Sequence, residues 1–241
     1  MKYLYDPSSD ELIASCAART VDAIAHAWRE GRRAQIVVTG GRTGYASAKA
    51  IDIALFRLIR NNESFEGCVV HIWFSDERYV PSGSDERNDK GLIEGFSLST
   101  AHCVFHVVDS AGSDPEQEID GAAANYARDM ELEVGSKPFD SVVLSMGEDG
   151  HIASLFPGRI DASEPRYAIG ISGSPKPPAL RVSISLSRLA YANAIYIFGL
   201  GEGKIGALEA VQSGPVGLLA ANSKKAQVTI MTDQLISGVK Q

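Results

Sequence analysis

Asp140-Ser141-Val142-Val143-Leu144-Ser145-Met146-Gly147-Glu148-Asp149-Gly150-His151 is an apolar run that breaks directly into glycines, carboxylates and an imidazole. A short continuous run of this kind reads as a strand buried on both faces, which is the strand type of parallel sheets. Open parallel sheets bind ligands in the crevice beyond the carboxyl ends of their strands. The run therefore points to the fold class, and its loop delivers a general base to the rim of the sheet.

The pattern recurs on either side. Apolar strands are expected at residues 35–39, 69–74, 103–108, 194–200 and 227–231, with extended segments near 167–172 and 180–186. Between them lie helical patterns. One starts at Ser8 and Glu11, which have capping-box spacing, and turns Ile13, Ala17, Ile24 and Trp28 to one side. Another follows the glycines at 40–44 as far as Arg60, a third runs from a second capping box at Ser113 and Glu116 to Glu133, and a fourth spans 202–212. This alternation predicts an α/β fold: a three-layer α/β/α, Rossmann-like arrangement with a mainly parallel sheet and helices on both faces. The one Pro-rich stretch, at 172–178, is too short to separate domains, so residues 1–241 are read as a single α/β domain.

Composition narrows the function. The chain has 241 residues, 44% hydrophobic and 22% charged, enough to bury a substantial core. Its formal charge of −7 argues against a nucleic-acid binder but leaves room for a local basic pocket that takes an anionic small molecule. The amino terminus lacks the apolar segment of an export signal, and no run nears the roughly 18 apolar residues of a membrane helix. The expected location is the cytoplasm, without membrane or nucleic-acid partners. Cys16, Cys68 and Cys103 are well separated and odd in number, so buried free thiols are expected rather than disulfides or a metal site.

Several loops carry chemistry. Thr39-Gly40-Gly41-Arg42-Thr43-Gly44 sits between strand and helix, where free N–H groups and the helix dipole attract an anion; its alternative is a turn with a solvated arginine. It lacks the Gly-Lys-Ser/Thr ending of a nucleotide P-loop. Asp76-Glu77-Arg78 follows a strand and offers a carboxylate for a hydroxyl or water and a guanidinium for an anion, unless it is a structural salt-bridge turn. Gly199-Leu200-Gly201-Glu202-Gly203-Lys204 imitates a dinucleotide fingerprint without its βαβ continuation, so no nicotinamide cofactor is expected; Lys204 reads as a cation for phosphate. His151, with Asp149 two residues before it, is the strongest candidate base. His26, His71, His102 and His106 have no comparable polar setting and read as structural.

Taken in order, these motifs resemble those of the glucosamine-6-phosphate isomerase/6-phosphogluconolactonase family, and its lactonase branch in particular. The resemblance runs from about Gln35 to Lys204 and includes Ser75-Asp76-Glu77-Arg78-Tyr79-Val80-Pro81, Gly147-Glu148-Asp149-Gly150-His151-Ile152-Ala153-Ser154-Leu155-Phe156-Pro157-Gly158, and Ser174-Pro175-Lys176-Pro177-Pro178 with Arg181-Val182-Ser183. It implies His151 as general base, Asp149 as its neighbouring carboxylate, and Asp76 and Arg78 as active-site residues. It implies a phosphate site formed by Gly40, Gly41, Arg42, Thr43, Arg181 and Lys204. Two positions depart from the family pattern. Gly44-Tyr45 stands where a proline is common, and Arg87-Asn88 stands where Ser-Asn is frequent, which leaves Asn88 but not Arg87 a candidate.

The branch follows from what comes after the histidine. The aminosugar-phosphate deaminases of the family continue with a Phe-Asn-Glu-Pro-like segment whose glutamate supports proton transfers, whereas Ser154-Leu155-Phe156-Pro157 puts an apolar ring there. The implied reaction is hydrolysis of 6-phospho-D-glucono-1,5-lactone in the pentose phosphate pathway, with no cofactor and no metal. The expected partner is the phosphosugar lactone itself, and the expected state is a monomer or small homo-oligomer. The competing readings are an aminosugar-phosphate isomerase/deaminase and a non-catalytic sugar-phosphate sensor on the same fold.

Overall fold

The computed structural model describes residues 1–236; the last five residues of the expected 1–241 unit lie outside the described residues. The strand read from 140–146 is Ser141–Ser145 (β6 in chain order). Before it come Lys2–Tyr5 (β1), Ala34–Val38 (β2), Val70–Phe74 (β3), Asp76–Arg78 (β4) and Cys103–His106 (β5). After it come Ala168–Ile171 (β7), Arg181–Ile184 (β8), Ile195–Gly199 (β9) and Val228–Thr232 (β10). The helices are Ser9–Arg29 (α1), Gly41–Arg60 (α2), Asn88–Gly95 (α3), Pro115–Glu133 (α4), Leu186–Leu189 (α5), Ile205–Glu209 (α6) and Pro215–Asn222 (α7).

Seven strands form one sheet in the order β1-β10-β9-β6-β2-β3-β5, parallel at every pairing. Continuous burial along β2, β3, β9 and β10 has its cause here, because both faces are covered. Val37, Trp73, Val142, Leu144, Ile195 and Ile197 point into a core with α4, α6 and α7. Their neighbours Ile36, Val38, Ile72, Phe74, Val143 and Phe198 point into a second core with α1, α2 and α3. A separate antiparallel sheet, β4-β8-β7, lies on the α4 side.

Strand order reverses between β6 and β2: β2 leads outward to β3 and β5, whereas β6 leads the other way to β9 and β10. Such a switch point opens a crevice at the carboxyl edge, because successive connections diverge from it. The glycine loop after β2 and the 147–151 loop after β6 flank that crevice.

Four sequence expectations change. Asp76-Glu77-Arg78 is not a loop but β4, paired antiparallel with β8. The second capping box is absent: Asp114 caps α4, and the Glu118 carboxylate accepts from the N–H groups of Gly112 and Asp114, because Pro115 takes the first helical turn. The helix at 202–212 divides into 3₁₀ turns at Glu202–Lys204 and Val211–Ser213 around the short α6. Of the cysteines, Cys16 is buried, while Cys68 and Cys103 are only partly so; all three are free thiols. The first capping residue stands as expected, with Ser8 Oγ accepting from the Glu11 N–H at 3.3 Å. Among the described residues no helix is long and apolar enough to cross a membrane.

Candidate active site

The crevice is a cleft of about 850 Å³. Gly40, Gly41, Arg42 and Thr43 line it from the start of α2, Asp76 and Arg78 from β4, His151 from the loop after β6, Arg181 from β8, and Lys204 from the turn after β9. All the expected site residues except Asp149 thus share one wall or another of the same cavity. Asp149 lies outside the lining and touches the imidazole: its Oδ1 is 2.5 Å from His151 Nδ1. A carboxylate there makes Nδ1 the protonated nitrogen and leaves Nε2 with its lone pair.

The 147–151 loop is folded to make that contact. The Gly147 N–H donates to His151 O at 2.8 Å and the Gly150 N–H to Gly147 O at 3.0 Å, which closes the turn. A Cβ on Gly147 would collide with His151 Nδ1 and Asp149 Oδ1, so only glycine admits the pair. Gly150 takes φ of 83°, a conformation that glycine adopts without strain. Phe156 packs its ring 4.8 Å from the imidazole and shields one face of it. Burial opposes ionisation of Asp149, but the hydrogen bonds and charges of His151 and Lys176 outweigh it and hold the carboxyl at about 2.

Opposite the imidazole, the antiparallel pairing sets Asp76 against Ser183 and Arg78 against Arg181. The Asp76 carboxylate is buried and accepts from Ser154 Oγ at 2.6 Å and Ser75 Oγ at 3.0 Å, so its orientation is fixed. Arg78 donates through Nη1 to Glu86 O at 2.7 Å, while its Nε is buried without a partner among the described residues. Arg181 donates through Nε and Nη2 to the carbonyls of Pro178, Lys176 and Pro177. Burial pushes the Arg181 guanidinium below its usual value; the Asp76 carboxylate opposes this and the charge of Arg78 adds to it.

The glycine loop completes the cation-rich end. Gly40 caps α2 with no side-chain bond, so the first N–H groups of a 20-residue helix face the cleft. A side chain on Gly40 would collide with Asn88, and one on Gly44 with the Thr39 carbonyl. The Gly44 found where the family often has proline is thus demanded by this loop's own packing. The side chains of Arg42 and Lys204 make no hydrogen bond or ion pair to protein among the described residues, and burial pushes the Lys204 ammonium down. No group of three or more His, Cys, Asp or Glu side chains among the described residues is arranged to hold a metal.

Arg87 turns away, donating to Asp89 Oδ2 and Val108 O. Asn88 lines the cleft and donates to Asp76 O at 3.2 Å. His71 and His106 bond to one another at 2.9 Å away from the cleft, beside Trp73. Lys176 and Glu148, which the sequence places in motifs without a role of their own, also line the cleft, as does Asp233, which no motif marks and which receives the Gly201 N–H at 2.8 Å. Glu77 was quoted as part of a motif, yet its role is to bind the Asn88 and Asp89 N–H groups at the start of α3.

A parallel sheet with a cleft at its switch point, lined by arginine and lysine side chains and by an imidazole that a carboxylate holds, defines an α/β protein with its candidate site at the carboxyl edge of the sheet. The comparisons refine that class. The family model for glucosamine-6-phosphate isomerases/6-phosphogluconolactonase matches residues 7–229, and the chain belongs to this family. It is 33% identical over 238 residues to a 6-phosphogluconolactonase of Mycobacterium bovis, covering 93% of this chain and 92% of that one. It is 32% identical over 218 residues to one of Streptomyces coelicolor, covering 85% and 80%. Among solved structures, a 6-phosphogluconolactonase from Trypanosoma cruzi superposes with a TM-score of 0.78 at 22% identity, covering 96% of this chain and 93% of that one, a likeness of fold.

Proposed function

We propose that the chain hydrolyses 6-phospho-D-glucono-1,5-lactone to 6-phospho-D-gluconate, with His151 as general base. The observation that carries the reading is the Asp149-bound imidazole in a cleft whose far end is cationic. The relatives named 6-phosphogluconolactonase support it.

In this mechanism the substrate phosphate meets the first N–H groups of α2 with Thr43, together with Arg42, Arg181 and Lys204. Its binding energy orients the lactone carbonyl beside His151. Nε2 takes a proton from water, the resulting hydroxide adds to C1, and Arg78, whose buried Nε lacks a partner, donates to the oxyanion. As the C1–O ring bond breaks, the imidazolium returns its proton to the departing ring oxygen. Asp76, fixed by two serine hydroxyls, accepts from a sugar hydroxyl. The lactone is already electrophilic, so the scheme requires neither a metal nor a cofactor.

The aminosugar-deaminase reading is disfavoured by Phe156, whose apolar ring packs at a tilt against the imidazole where a proton-shuttling acid would be needed. The test is a coupled assay that follows acid release from freshly made phosphogluconolactone above the spontaneous rate, with glucosamine 6-phosphate in parallel. Acceleration of lactone opening alone is expected; acceleration of ammonia release alone overturns the reading.

A further inference from the structure

The Ser174-Pro175-Lys176-Pro177-Pro178 stretch has no part in the mechanism above, yet its lysine bonds the carboxylate that holds the base. Lys176 Nζ lies 3.1 Å from Asp149 Oδ1, the same oxygen that holds His151 Nδ1. The lysine backbone is pinned as well. Its N–H donates to Ser174 Oγ, and its carbonyl accepts from Ser174 Oγ and from Arg181 Nη2. One short loop thus carries the ammonium that fixes the base's carboxylate and the carbonyls that hold a phosphate-facing arginine.

The geometry points to Lys176 as a positioning residue: it holds Asp149 in the orientation that keeps His151 productive, and it ties that orientation to the loop gripped by Arg181. This rests on His151 being the base. Lys204 and Arg42 offer free cationic groups to a phosphate, whereas the Lys176 ammonium is already committed to Asp149. The pair is partly exposed, with side-chain accessibilities of 46% and 37%, so its worth is modest until a substrate excludes water from it.

Two consequences separate positioning from phosphate binding. Without the lysine, Asp149 rotates more freely and turnover falls. KM changes little, because the ammonium is committed to Asp149 rather than to the phosphate.

The experiment measures pH profiles of kcat and kcat/KM for phosphogluconolactone opening in wild type, Lys176→Met, Lys176→Arg and His151→Asn. For Lys176→Met we expect kcat to fall about fivefold, which is close to 1 kcal/mol, with KM changed less than about twofold. Lys176→Arg, which keeps a cation on Asp149, should restore kcat. A raised KM with unchanged kcat makes Lys176 a phosphate ligand and overturns the proposal, as does wild-type behaviour of Lys176→Met. An inactive His151→Asn beside either result confines the failure to Lys176, whereas an active one removes the base on which the proposal depends.

Discussion

Arg78 and Arg181 stand directly opposite each other in the antiparallel β4–β8 pair. Like charges opposed across strands destabilise a sheet, and burial aggravates the cost. An anion in the cleft relieves it. Inorganic phosphate, compared with chloride at equal ionic strength, should raise the Tm by about 5–10 °C at a hundred times its Kd. In Arg181→Gln most of that increment should vanish. A Tm indifferent to phosphate in the wild type would speak against the anion site.

Gly147 and Gly150 are glycines for different reasons, and alanine at each should fail differently. Gly147→Ala drives a methyl into the His151–Asp149 contact, so kcat should drop by about 10²-fold while the Tm moves little. Gly150→Ala meets open space apart from the Ala207 methyl at 3.9 Å but must hold φ of 83°. It should lose about 1 kcal/mol of stability and keep most of its activity. Paired melting curves and initial rates distinguish the two.

Much of this was legible in the chain. The strands were visible to within a residue or two because β2, β3, β6 and β9 are uninterrupted apolar runs, and the rim location of the loops followed from them. The edge strand β1 escaped notice because Lys2–Tyr5 is only half buried and carries no such run. β4 escaped because Asp76–Arg78 is wholly polar and its partner lies about a hundred residues away at β8. The motif around Lys176 could be quoted, but its ion pair could not, since Asp149 is 27 residues distant and the two meet only after both loops fold. Ser113 and Glu116 had the right spacing for a cap, yet Asp114 with Pro115 behind it was the stronger start signal.

Asp149 sets a further expectation. Its carboxyl sits at about 2 in the folded protein against 3.8 in the unfolded chain. A depressed acid contributes stability above the unfolded value and loses it as the pH falls through the folded one. The Tm difference between wild type and Asp149→Asn should therefore be constant above about pH 4 and shrink between 3.8 and 2. At neutral pH the same variant loses the acceptor that selects the Nδ1–H tautomer, so kcat should fall by about 10²–10⁴-fold. Titrating thermal unfolding and turnover on one preparation checks both.

The most direct measurement is the rate of acid release from fresh 6-phosphogluconolactone with wild type and His151→Ala side by side, at pH 7 and corrected for spontaneous opening. The account predicts strong acceleration by wild type and a loss of about 10²–10⁴-fold in kcat on removal of the imidazole. Near-normal turnover in His151→Ala would contradict it.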